Sequence, residues 1–226
     1  MKKSIVIIKK NSFIYNEEEY DFDKVNDINN LLKSNIKIVI LEEELYLKQF
    51  ESELKRNKMY DFIEYKINND FPQNGDILYN FEKNNNSIFI YYIKGAKRIE
   101  KISERAKNIE VKPIQIIVKE VMMKILKNNI FNCKVLIKFN EHYYYISFKG
   151  GLFYYNYIEK DKEIVLDKII QNNDFGEMYV DTSLGDLARA DKFNIIKINI
   201  GELINEKIYE KQRFHSRKIL WQNRSK

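Results

Sequence analysis

Short apolar runs of strand type alternate along this chain with stretches whose apolar residues recur at helical spacing. Ile5 to Ile8 is a first apolar run. Two alternating segments follow, Ser12 to Tyr15 and Glu19 to Phe22, and predict a hairpin through Asn16-Glu17-Glu18. Asp23 is placed to cap a short helix with Val25, Ile28, Leu31 and Leu32 turned inward. Ile36 to Leu41 is continuous and apolar, the pattern of a strand buried on both faces, and LYLKQFE from Leu45 alternates as an edge or hairpin strand does. Met59, Phe62, Ile63, Lys66 and Ile67 fall on one helical stripe that stops at Asp70-Phe71-Pro72, because proline disfavours helix at the residue before it. A loop over 73–76 leads to two strands, ILYNFE and SIFIYYI, joined across the polar Lys83 to Asn86.

Gly95 to Asn108 reads as a helix with Ile99, Ile102 and Ala106 on one face. Ile109 to Gln115 is extended around Pro113, and Val118 to Leu126 is an apolar helix whose Met122-Met123 pair is core filler. CKVLIKF, YYYISFKG and LFYYNYI are then three successive strands, separated by tight-turn residues at Asn140-Glu141 and Gly150-Gly151. A helix over Glu163 to Gln171, a strand over Glu177 to Val180, a short helix over Leu184 to Arg189, a strand over Ile195 to Ile200 and a helix from Glu202 complete the pattern. A three-stranded meander followed by helices and strands thus occurs twice, which predicts a mixed α/β arrangement of two lobes.

Composition narrows the function classes. With 226 residues, 44% hydrophobic and 14% aromatic, the chain has the makings of a core, and only seven glycines and two prolines leave no room for a flexible linker. The single cysteine excludes an internal disulfide framework and a cysteine-rich zinc site. Cys133, inside an apolar strand, reads as an inert core thiol. The apolar run after Met1-Lys2-Lys3 is too short for a signal peptide, and no stretch reaches the roughly 18 to 20 apolar residues of a membrane span, so a soluble cytosolic chain is expected. The net charge of +6 is uneven: from Lys211 the sequence KQRFHSRKILWQNRSK is basic with no acid. Such a tail with Trp221 suits nucleic acid, an anionic lipid surface, the flank of a membrane span, or a solvated terminus.

Little in the sequence points to catalysis. His142 and His215 are the only histidines and neither has a second ligand type at metal spacing. No G-x-S-x-G elbow is present, and Gly150-Gly151 does not open a helix after a strand as a dinucleotide fingerprint does. Tyr143-Tyr144-Tyr145 and Tyr154-Tyr155 with nearby lysines leave a second reading open, a sheet face for single-stranded nucleic acid assisted by the basic tail.

The ordered set IKIVIL, EEELYLKQFE, a helix ending at NNDFP, then YNFE, IFIYYIKGAKRIEKISERAKN and IEVKPIQIIVKEVM resembles the PilM and GspL cytoplasmic-domain family. These are actin-like proteins of type IV pilus and type II secretion inner-membrane platforms. The likeness rests on Phe71-Pro72 followed by Asp76, Tyr79 and Phe81, and on the strand around Pro113; it covers roughly residues 36–126 well and the remainder by element order. It implies an α/β, actin-like (RNase H-type) two-lobe fold with mixed sheets and flanking helices. Residues 1–126 would form the first lobe with an inserted helix–hairpin subdomain (about 36–126), 127–200 the second lobe, and 201–226 a basic, membrane-proximal tail.

Actin-like ATPases hold phosphates on two glycine-turned hairpins that carry an acid for the metal. The corresponding hairpins here, IVIIKKNSFIY and VLIKFNEHYYYI, have neither the Asp nor the Gly, and Asp181-Thr182-Ser183-Leu184-Gly185 stands where the adenosine-side Gly-Gly loop would be. The expectation is a scaffold without enzyme activity, cofactor or metal. It would dock PilN/PilO-like bitopic membrane proteins and the assembly ATPase at the cytoplasmic face of the plasma membrane, with a homodimer among the expected assemblies. Ile198, Asn199, Ile200 and Leu203 resemble the start of PilN and are the candidate partner-binding residues, filling the interlobe cleft in cis or from a neighbouring copy. Arg213, Arg217, Lys218, Trp221 and Arg224 are the membrane-proximal candidates.

Overall fold

A computed structural model describes residues 3–53, 58–72, 76–172, 176–185, 193–210 and 222–223. The first sheet is built from β1 (Ser4–Ile8), β2 (Ser12–Tyr15), β3 (Glu18–Asp21), β4 (Asn35–Ile40) and β8 (Asn108–Pro113), in the order β3-β2-β1-β4-β8. The second contains β9 (Cys133–Phe139), β10 (His142–Lys149), β11 (Leu152–Glu159), β12 (Gly176–Asp181) and β13 (Phe193–Ile198), in the order β11-β10-β9-β12-β13. The two orders are the same. In each, an antiparallel meander is extended by two strands parallel to its first member. Every residue of β4 is buried, as befits a central strand covered on both faces.

A third sheet is inserted after β4. It comprises β5 (Tyr46–Glu51), β6 (Ile77–Asn84) and β7 (Ser87–Lys94), with the two-residue β14 (Gln222–Asn223) added to β6. Helix α2 (Met59–Asp70) lays Met59, Ile63 and Ile67 on one face of it and ends at an extended Phe71, as the proline predicts. Leu78, Tyr91 and Ile93 on the other face join the large core, where Tyr91 meets Phe153 of β11 edge to face at 6.1 Å. The remaining helices are α1 (Val25–Asn29), α3 (Ala96–Ser103), α4 (Ile114–Leu126), α5 (Lys162–Gln171) and α6 (Ile200–Tyr209). Among the described residues no helix is long and apolar enough to cross a membrane.

Several boundaries differ from the pattern-based expectation. Asp23 does not cap α1: the chain enters that helix through a 3-10 turn over Phe22–Lys24, so Asp23 already lies inside the turn. Leu31 falls past the end of this short helix and is 63% exposed rather than inward, while Leu32 is half-buried. Helix α3 stops at Ser103, well before Asn108, because Lys107 and Asn108 donate their amides to Ser34 O to begin β8. Helix α4 starts directly after Pro113 and so takes in Ile114 and Gln115. The last strand ends at Ile198, where the Asn199 side chain caps α6, and Ile200 is helical. Of the helix expected over Leu184 to Arg189, Leu184 ends a 3-10 turn and residues 186–189 lie outside the described residues.

Candidate functional site

One side chain just beyond β4 reaches both meander turns. After Leu41 the chain turns at Glu42, whose φ of 63° is left-handed, an uncommon conformation for a residue with a side chain. The Glu42 amide donates to the hydroxyl of buried Tyr144 at 3.2 Å. One Glu42 carboxylate oxygen accepts the Lys10 amide from the first turn at 3.2 Å, and the other lies 3.6 Å from His142 Nδ1 at the end of the second turn. Arg98 of α3 holds the first turn from its other side, donating to Lys9 O at 2.9 Å, Lys10 O at 2.7 Å and the Glu43 carboxylate at 2.6 Å. Its guanidinium covers Gly95, where a Cβ would stand 2.1 Å from Nη2.

Behind this latch the lobes are pinned by buried amides. Gln115 of α4, fully buried, donates to Glu43 O and to Asn156 Oδ1, both at 2.9 Å. Asn156 of β11 also accepts the Leu45 amide at 3.1 Å. Two side chains therefore satisfy main-chain groups of the 43–45 connection that would otherwise be buried and unpaired.

The segment Asp181 to Gly185 is organised by Asp181. Its carboxylate accepts the Gly201 amide at 2.6 Å, the Ser183 amide at 3.0 Å and the Ser183 hydroxyl at 2.5 Å. Burial disfavours the charge, but these bonds outweigh it and hold the carboxyl below its ordinary value of 3.8. The Gly201 amide, in the first turn of α6, is thus taken by a carboxylate of the chain itself.

The expected partner residues gather at the β13–α6 junction. Ile198 is half-buried, and Asn199 caps α6 by accepting the Glu202 amide at 3.2 Å. Ile200 is wholly buried and Leu203 half-buried against the large core. This segment is part of the second sheet's own packing. Arg213, Arg217, Lys218, Trp221, Arg224 and His215 lie outside the described residues. Of the tyrosines, Tyr144 and Tyr145 are buried, Tyr145 stacks on Tyr157, and α5 packs over this face. Cys133 is buried and its thiol is pushed up to about 12 by desolvation.

Sequence reasoning missed Glu42, Arg98, Gln115 and Asn156, whose partners lie at separations from 32 to 111 residues. The only local signal was the cluster Glu42-Glu43-Glu44 beside a buried strand, which reads equally well as a solvated turn.

No family model matches the chain, and no curated protein matches it in sequence. Solved structures do match in three dimensions. A Bacteroides thetaiotaomicron protein with an actin-like ATPase fold and unknown function is 10% identical, with 93% of this chain and 97% of that one covered, at a TM-score of 0.56. The cytoplasmic domain of EpsL, an inner-membrane component of the type II secretion system of Vibrio cholerae, is 9% identical over 93% and 95%, at 0.53. A PilM–PilN type IV pilus biogenesis complex is 10% identical over 90% of each chain, at 0.56. At such identities the likeness is one of fold: the chain has the actin-like α/β fold shared by PilM and the GspL-type cytoplasmic domain.

Proposed function

We propose that this chain is a non-catalytic scaffold of a type IV pilus or type II secretion inner-membrane platform. The observation that carries the non-catalytic part is Glu42. In an actin-like ATPase the two hairpin turns offer their amides to phosphates. Here the Lys10 amide is already bonded to a carboxylate, which also faces the second turn at His142. Asp181 likewise takes the Gly201 amide in the first turn of α6. A phosphate at the first turn would have to displace the Glu42 carboxylate from the Lys10 amide, against the repulsion of like charges. The residues present do not fit a nucleotide and its metal.

The platform role draws its support from the fold shared with PilM in its complex with PilN and with the EpsL cytoplasmic domain. On this reading the protein works by docking. Its partners are PilN/PilO-like bitopic proteins and the assembly ATPase, and it acts at the cytoplasmic face of the plasma membrane. We place partner contact at the β13–α6 junction, where Ile198, Asn199 and Leu203 keep surface at solvent and Ile200 anchors the junction from inside. The basic segment with Arg213, Arg217, Lys218, Trp221 and Arg224 supplies the membrane-side contact.

The test is co-expression with the cytoplasmic segment of a PilN-type protein, followed by size-exclusion chromatography. A complex that persists between about 50 and 200 mM salt supports apolar docking. Association only with nucleic acid, falling steeply over that range through counterion release, would overturn it.

A further inference from the structure

Helix α6 begins on one sheet and ends on the other. Its N-terminal amide, Gly201 N–H, is held by Asp181 at the end of β12. At its C-terminal end Lys207 O and Ile208 O accept from Lys37 Nζ of β4, at 2.7 and 2.8 Å. A helix carries partial positive charge at its N-terminus and negative charge at its C-terminus, together with unsatisfied amides and carbonyls. An anion from the second sheet and a cation from the first therefore match both ends. Between them Ile200, Ile204 and Ile208 are wholly buried.

We propose that α6 is an interlobe strut clamped by opposite charges at its two ends, and that the Lys37 end is the releasable one. The two clamps differ in strength. Asp181 sits in a set of hydrogen bonds that favour its charge. Lys37 is 4% exposed, and burial works against its charge, drawing its pKa down to about 8. Its nearest carboxylate help is shared: Glu110 is bonded to Lys3 at 2.6 Å and lies 3.5 Å from Lys112, which also pairs with Glu120 at 2.6 Å. Lys37 is thus left to hold two main-chain carbonyls with a charge that costs free energy to bury. Lys207, which bridges Glu120 at 3.5 Å and Glu210 at 3.1 Å, adds only a partly exposed contact at the same end. Loosening of α6 therefore starts at the Lys37 clamp. The last turn of α6 then leaves the first sheet while its first turn stays on the second.

Amide hydrogen exchange on the full chain tests this. In the wild type, amides of 207–210 exchange at least about tenfold faster than those of Gly201 and Glu202. Lys37→Met raises exchange over 205–210 by a further factor of about ten and leaves Gly201, Glu202, Tyr179 and Val180 unchanged. If that variant does not fold, Ile208→Ala loosens the same end without touching the charge and is expected to give the same local pattern. Equal exchange at both ends of α6 in the wild type would overturn the proposal. So would a rise spread evenly over α6, β12 and β4, or no rise at all.

Discussion

Replacing Asp181 with Asn removes one charge and one acceptor while keeping the shape, so its cost is calculable. Several donors converge on the carboxylate: the Gly201 amide at 2.6 Å, the Ser183 amide at 3.0 Å and the Ser183 hydroxyl at 2.5 Å, joined by the Ile200 amide. Hydrogen bonds to a charged acceptor contribute about 1.5–3 kcal/mol each, and a buried donor left unpaired costs about 1–3 kcal/mol. The amide of Asn keeps one oxygen, so at least one of the two sides, Gly201 or Ser183, loses its acceptor and faces an NH2 group instead. The expected loss is about 3 kcal/mol. At about 2–4 °C per kcal/mol for a chain of this size, the melting temperature falls by roughly 6–12 °C at neutral pH.

Acid supplies the control. The folded-state pKa of Asp181 lies below its ordinary 3.8, so its contribution is present above that value and fades as pH falls through the folded value. The gap between wild type and Asp181→Asn should therefore be constant from neutral pH down to about 4.5 and close below it. Thermal melts by circular dichroism over that range suffice. A fall of less than about 2 °C at neutral pH, or a gap unchanged in acid, would mean that the Asp181 charge does not hold this turn and helix start together.

Asn156→Leu strips the acceptor from the Leu45 amide and from Gln115, and should cost about 2–4 kcal/mol in urea unfolding. In the Gly150-Gly151 turn, Gly151→Ala should be severely destabilising, since its Cβ would stand 1.9 Å from Asn129 O at a φ of 75°. Gly150→Asn, with open space at φ 60°, should change the melting temperature little, because Asn tolerates this conformation. Cys133 should react with a thiol reagent at neutral pH only on unfolding. Labelling of the native protein at the rate of a small-molecule thiol would contradict its burial and raised pKa.

The legible parts of this fold were those written locally. Asn140-Glu141 and Gly150-Gly151 adopt the positive φ values that a two-residue hairpin needs, and Pro72 and Pro113 mark a helix end and a helix start as their missing amide dictates. Where two local signals competed, the pattern misled. Ile195 to Ile200 reads as one apolar strand, yet the Asn199-x-x-Glu202 cap ends it two residues early. The candidate site was mostly illegible. Lys37 interrupts an apolar strand as if it were an exposed position, and only the carbonyls of a helix about 170 residues later explain its burial. Glu42 is one of three consecutive acids, and nothing adjacent distinguishes the one that faces both hairpin turns.

Under the proposed function, the Glu42 carboxylate occupies a turn amide that an actin-like ATPase would offer to phosphate. Thermal unfolding with and without Mg-ATP tests it most directly. A ligand at about 100 times its dissociation constant stabilises the native state by about 2.7 kcal/mol, or roughly 5–11 °C for a chain of this size. No shift is expected with Mg-ATP or Mg-ADP. A saturable rise of several degrees, lost when the magnesium is chelated, would contradict it.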